Sequence, residues 1–251
     1  MFSINLGKDR LGERFEVKGL GVVEIIEYVT NSNLTVRFEE TGYTTKTKYH
    51  LLKTGKVIDR LRPTVYGVGV VGYENVSENG KLTQVYETWK SMLMRCYCFK
   101  QKSLTRYKDV FVCEDFKHLP VFSKWAKQQV GFGRKGWHLD KDLLVRGNKV
   151  YSPETCCFVP NEINSLICDN TQRSKSGLPV GVSRSGNKFC TRARFGGKTI
   201  KLGLFDTVEE AFQTYKEAKE DYIKEVAEKW KDQIDQKVYE ALRNWTIVAV
   251  V

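Results

Sequence analysis

The residues best suited to chemistry lie in the stretch HLDKDLLVRGNKVYSPETCCFVPNEIN, which runs from His138 to Asn164. Asp140 and Asp142 form an acidic pair, His138 comes two residues before Asp140, and Lys141 stands between the two carboxylates. A turn, an apolar strand and a candidate helix bearing Asn161 and Asn164 follow. In an extended strand His138 and Asp140 share a face. This is the outline of a nuclease centre, in which a carboxylate holds a divalent cation and a base activates water. The place where such a centre wants a histidine holds Lys141. Lysine titrates near about 10.4 and is a poor base at neutral pH unless burial and a metal depress it; it can instead hold phosphate. The opposing reading is structural, with Asp140 and Asp142 capping turns in a stretch that does not cut.

Those residues depend on the elements around them. Upstream, QVYETWKSMLMRCY places Val85, Trp89, Met92 and Cys96 at helical spacing. YKDVFVCEDF reads as extended. LPVFSKWAKQQV predicts a second helix, with Pro120 at its start and Val121, Trp125 and Val130 as apolar positions. The basic loop GFGRKG leads into the motif. Residues 12–66 alternate apolar and polar positions between turn signals, as in GVVEIIEYV from Gly21 and LTVRF from Leu34, which predicts a small, strongly bent sheet or barrel-like module. GVGVVG, at 67–72, lacks the Lys-Ser/Thr ending of a nucleotide loop and reads as a flexible or close-packed linker.

Downstream, RSKSG at 173–177 is a basic linker. Three short strands follow at 180–184, 188–195 and 199–203, separated by the tight-turn sequences SGN and GGK. In the second strand Phe189, Thr191, Ala193 and Phe195 share one face, and Lys188, Cys190, Arg192 and Arg194 the other. Lys201, and Arg184 at the first turn, can add to that basic face. A long helix begins at the capping pair Thr207 and Glu210 and carries Phe212, Tyr215, Tyr222, Ile223, Val226 and Trp230. The final TIVAVV either docks as a strand on its own domain or pairs with another sheet edge.

Composition narrows the partners. The 251 residues are 41% hydrophobic, enough for ordinary cores, and carry a formal net charge of +11, which favours a polyanion and nucleic acid first. No run approaches the roughly 20 apolar residues that span a bilayer, so no membrane role is expected. The N-terminal MFSINLGKDR lacks a signal-peptide core, which predicts a cytoplasmic protein. Seven cysteines without a C-x-x-C pair read as free thiols packed as small hydrophobes rather than as a zinc site.

The segment GVSR…KFCTRARFGGKTIKLGLFDTVEEAFQTY resembles the APETALA2/ERF-type DNA-binding domain over about residues 178–220. The resemblance is carried by Gly181-Val182, the basic aromatic second strand, the LGLFDT turn and the Glu-Glu-Ala helix start. In that family the three-stranded sheet contacts DNA, which implicates Arg184, Lys188, Arg192, Arg194 and Lys201; Phe189 stands where the family has tryptophan. Such domains occur fused to HNH (His-Me finger) endonucleases of phages and mobile elements. LDKDLLVRGNKVYSPETCCFVPNEIN resembles the ββα-metal motif of those enzymes, and the helical segment before it resembles their preceding segment. The resemblance puts Asp140 on the metal-ligand acid, Lys141 on the base histidine, Thr155 on the hairpin asparagine, and Asn161 or Asn164 on the helix ligand. It implies a divalent metal, Mg or Mn, held by Asp140 and Asn164 if the centre is active. His138 and Lys141 are then the candidates for water activation.

The expected fold is therefore α+β and modular: a β-barrel-like module at 1–66, an HNH-like ββα region at 82–172, and a three-stranded sheet with a long helix at 178–251. The expected function is that of a phage-type DNA-binding protein of the HNH endonuclease class, working in the host cytosol. The alternative is a non-catalytic adaptor with a decayed centre, which binds DNA or, through residues 1–66, a host protein.

Overall fold

A computed structural model of the chain describes residues 9–98, 107, 109–168 and 177–248. The architecture is mixed helix and strand, in two compact units, Met1–Ser123 and Lys124–Val251. Among the described residues no helix is long and apolar enough to cross a membrane.

The first unit opens with β1 (Arg14–Val17), β2 (Gly21–Thr30), β3 (Asn33–Phe38) and β4 (Thr44–Thr47), an antiparallel meander in chain order. Alternation buries Val23, Ile25, Leu34, Val36 and Phe38 on one face, while Glu24 and Arg37 pair on the other at 2.8 Å. The sheet is not the closed barrel that its turn spacing suggested. Four strands are too few to close around a core; β1 and β4 remain edges, and the apolar face is covered by Leu52 of α1 (Tyr49–Lys53) together with Val57 and Leu61.

Two short hairpins follow, β5 (Pro63–Val65) with β6 (Gly69–Val70), and β7 (Ser77–Glu78) with β8 (Lys81–Leu82). Of the two linker readings of GVGVVG, the close-packed one holds. A Cβ on Gly69 would lie 2.5 Å from Leu93 and 2.7 Å from the Trp89 ring, so the missing side chain lets α2 (Gln84–Tyr97) approach. That helix is capped by Thr83 and buries Val85, Trp89, Met92 and Cys96, at the predicted spacing, as well as Leu93. β9 (Phe111–Val112), α3 (Glu114–Lys117) and α4 (Leu119–Lys127) complete the central stretch. In α4 the predicted apolar face is rotated: Val121 is exposed, Val130 lies beyond the helix, and Leu119, Phe122 and Ala126 are the fully buried positions. With only nine residues, an apolar-rich helix offers two competing stripes, and packing selects between them.

The second unit contains β10 (Trp137–Asp140), β11 (Val150–Tyr151), β12 (Cys157–Pro160), α5 (Asn161–Cys168), β13 (Val182–Ser185), β14 (Lys188–Phe195), β15 (Lys198–Phe205), α6 (Val208–Trp230) and α7 (Gln236–Arg243). Thr207 caps α6 by accepting from the Glu210 N–H at 3.2 Å. The first half of α6 lies on the three-stranded sheet: Thr191 donates to the Ala211 carbonyl at 2.8 Å, and Ala193 and Tyr215 share a small core. Its second half turns Ile223, Val226 and Ala227 into a larger core with Val159, Ile163, Leu166 and Ile167 of β12 and α5, closed by Ile234, Val238 and Leu242. One helix thus serves both the sheet and the ββα element.

Residues 246–248 form no strand, but Ile247 is buried against Ala193 and Tyr215, so this part of the tail docks on its own unit. The rest of the tail, most of the 173–177 linker and the first eight residues lie outside the described residues, as does the Cys168 side chain. Cys96, Cys98, Cys113, Cys156, Cys157 and Cys190 are free thiols.

Candidate functional site

β10 and β12 pair antiparallel, with Asp140 opposite Cys157 and His138 opposite Val159, and α5 follows directly. The Asn161 N–H continues the ladder to the Gly136 carbonyl at 2.8 Å. His138 is exposed, whereas Asp140 is buried because the chain turns at that residue. Asp140 Oδ1 accepts the N–H of Asp142 at 2.9 Å and that of Leu143 at 2.7 Å, an Asx turn built by the side chain itself. Burial pushes the Asp140 carboxyl above its ordinary value, the two backbone donors pulling the other way.

Lys141 is almost fully buried. Its Nζ donates to Asp142 Oδ1 at 2.5 Å and to the Asn148 carbonyl at 2.8 Å, and lies 5.9 Å from the Tyr151 ring centre. Asn148 completes the knot. Its Nδ2 donates to the carbonyls of Lys141 and Val150, and its Oδ1 accepts from the Val150 N–H at 3.0 Å. Thr155 Oγ1 donates to the same Val150 carbonyl. Lys141, Asp142, Asn148 and Thr155 therefore hold one loop shut. The sequence reading gave Asn148 no role; its signal is the Gly147-Asn148 turn, with Gly147 at φ 73°.

Asn164 is half-buried on α5, and Asn161 is exposed at the start of that helix. Cys157, across from Asp140, has its thiol pushed up by burial, which removes it as a thiolate ligand. Among the described residues no group of three or more His, Cys, Asp or Glu side chains is placed to hold a metal ion. A hard divalent cation wants several open oxygens. Asp140 has one oxygen committed to the backbone and an ammonium-bearing residue next to it, a poor fit to that demand.

The second candidate site is the open face of the three-stranded sheet. Arg192 stands directly opposite Lys201, and Arg194 opposite Thr199. Among the described residues Arg192 and Lys201 have no ion-pair partner. Lys188 is half-exposed and pairs with Asp206 at 3.0 Å. Arg184 does not join this face: it is in register with Phe189 and lies 5.3 Å over that ring, on the side that also carries Val182 and Thr191. Cys190 has the phase of Arg192 but is only 2% exposed, a small thiol covered between its cross-strand neighbours Ser183 and Leu204. Leu204, 47% exposed, is an apolar member of the face that sequence reading missed. A register shift beside Arg192, which leaves Leu202 as the extra residue of β15, changes the alternation there.

No family model, curated protein or solved structure matches the chain.

Proposed function

We propose that the chain binds duplex DNA through the open face of β13, β14 and β15, and that its HNH-like turn is a scaffold rather than a cutting centre. The observation that carries this is the cross-strand pair of Arg192 and Lys201. Like charges placed opposite each other destabilise a sheet, and a polyanion turns that cost into binding energy. Arginine can read guanine in the major groove or hold phosphates, and the exposed Leu204 offers an apolar contact beside it. The resemblance to APETALA2/ERF-type domains and the net charge of +11 support the same reading. The scaffold half rests on Asp140 and Lys141, whose polar atoms are occupied in closing the 141–151 loop.

The layout of three modules at 1–66, 82–172 and 178–251 belongs to this proposal. So do a phage-type origin, action in a host cytosol, and a host protein as partner of the first module. The test is fluorescence anisotropy on a labelled duplex over a salt series. Arg192→Ala with Lys201→Ala should weaken binding about tenfold or more and flatten the salt dependence by roughly 0.9 per lost phosphate contact. Wild-type affinity in that double variant refutes the interface.

Metal-dependent nicking is the second reading, favoured by the exposed His138 imidazole on the strand that ends in Asp140. The scaffold reading expects supercoiled plasmid to stay intact with magnesium or manganese. Nicking that disappears in His138→Ala would establish the second reading instead.

A further inference from the structure

Beside the tip of the β14–β15 hairpin lies a cavity of about 440 Å³ that the interface above does not use. Three elements build its wall: α5 gives Glu162 and Ser165, the hairpin gives Arg194 and Gly197, and α6 gives Lys219 and Tyr222. The hairpin reaches this position because β14 outruns β13, whose pairing ends at Val182 opposite Thr191. Gly196 and Gly197, both at positive φ, make the tight turn, and the Gly196 N–H donates to Tyr222 Oη at 2.8 Å, which pins the tip to α6.

The charges of the wall are unequal. Glu162 is already balanced: Lys229 Nζ reaches its two oxygens at 2.9 and 2.7 Å, and Trp230 Nε1 donates at 2.8 Å. Arg194 uses Nε on the Gly197 carbonyl at 3.2 Å. Among the described residues its two terminal nitrogens make no hydrogen bond, so the fork is held in place with its donating edge open. Lys219, 4% exposed, brings a second cation to the same wall. A fixed guanidinium beside a lysine is the donor set for a phosphate. The volume falls in the range of about 300–1,000 Å³ that encloses small ligands, so a sugar can enter behind the phosphate.

We infer that this cavity seats one backbone phosphate of the nucleic acid bound on the sheet, held by Arg194 and Lys219. Arg194 lies two residues beyond Arg192, about 7 Å along the same strand, so a single backbone can meet both. The inference rests on the DNA-binding reading and adds to it an anchor outside the open face.

The test uses the full chain, a labelled duplex and a salt series, with Arg194→Gln, Ser165→Trp and the double variant. Ser165 is exposed and its hydroxyl bonds only to carbonyls of its own helix, so tryptophan there fills the cavity without removing a charge. Each single variant should weaken binding severalfold and flatten the salt slope by about 0.9, the value for one phosphate. The double variant should be no weaker than the worse single one, since both remove the same contact. Wild-type affinity and slope in Ser165→Trp, with binding still lost in the Arg192 and Lys201 variant, overturns the anchor and leaves the interface standing. No duplex binding by the wild type overturns both. A separate arm titrates inorganic phosphate and follows the Gly196 and Gly197 amide signals. Saturable shifts there, with duplex binding unchanged in Ser165→Trp, would assign the cavity to a free phosphate and overturn the backbone anchor.

Discussion

At the scale of single residues, Asp140 works as a turn-former whose two backbone partners are themselves buried or half-buried. Asp140→Ala leaves both N–H groups without an acceptor and should cost about 2 kcal/mol in urea unfolding, from about 1–3 kcal/mol per unmet group. Asp140→Asn keeps the acceptor and should recover most of that loss. Equal losses in the two variants would mean that the charge itself is needed. The pH dependence has a definite sign. Burial, the largest influence, raises the carboxyl in the folded state, so its stabilising contribution is complete below the ordinary carboxylate value and is lost as pH rises through the raised one. Asp140→Asn should therefore gain on wild type as pH climbs from about 4 toward neutrality. The turn-capping role of Asp140 was legible as one of two readings, because an aspartate followed by a polar turn is a known Asx signal. The seat of Lys141 was not, because its acceptor is a carbonyl seven residues on, and only the path of the loop brings the two together.

At the scale of elements, local pattern was informative where a strand or helix is long and fails where geometry is shared between neighbours. The alternation of β14 and the Thr207 cap were readable because each depends on a few adjacent residues. The side taken by Arg184 depends on its register with Phe189, and the register of β15 shifts beside Arg192; neither is written in a single segment. Gly181 belongs to the same class. Its φ is 81°, and a Cβ there would fall 2.1 Å from the Tyr215 ring of α6, so helix and sheet close over a position that admits no side chain. Gly181→Ala should lower unfolding free energy by well over about 1 kcal/mol. Gly186→Ala, also at positive φ but facing open space, should cost less. Equal effects of the two in a thermal melt would show that the approach of Tyr215 does not constrain the sheet.

At the scale of the whole molecule, the second unit is tied together by α6, which packs its first half on the reading sheet and its second half on β12 and α5. A chain cut to the sheet and its helices would expose Ile223, Val226 and Ala227, whose partners lie in the ββα element. A fragment of residues 124–251 should therefore fold and bind duplex, while one of 178–251 should lose cooperative unfolding by circular dichroism. This gives the HNH-like element a reason to persist without cutting: it completes the core that holds the sheet. The most direct test of the central claim is a nitrogen-15 amide titration of the full chain with a short duplex. The shifts should gather on Arg192, Arg194, Lys201 and Leu204, with His138, Asp140 and Asn164 unmoved. Shifts centred on His138 and Asp140, with the sheet silent, would contradict the account.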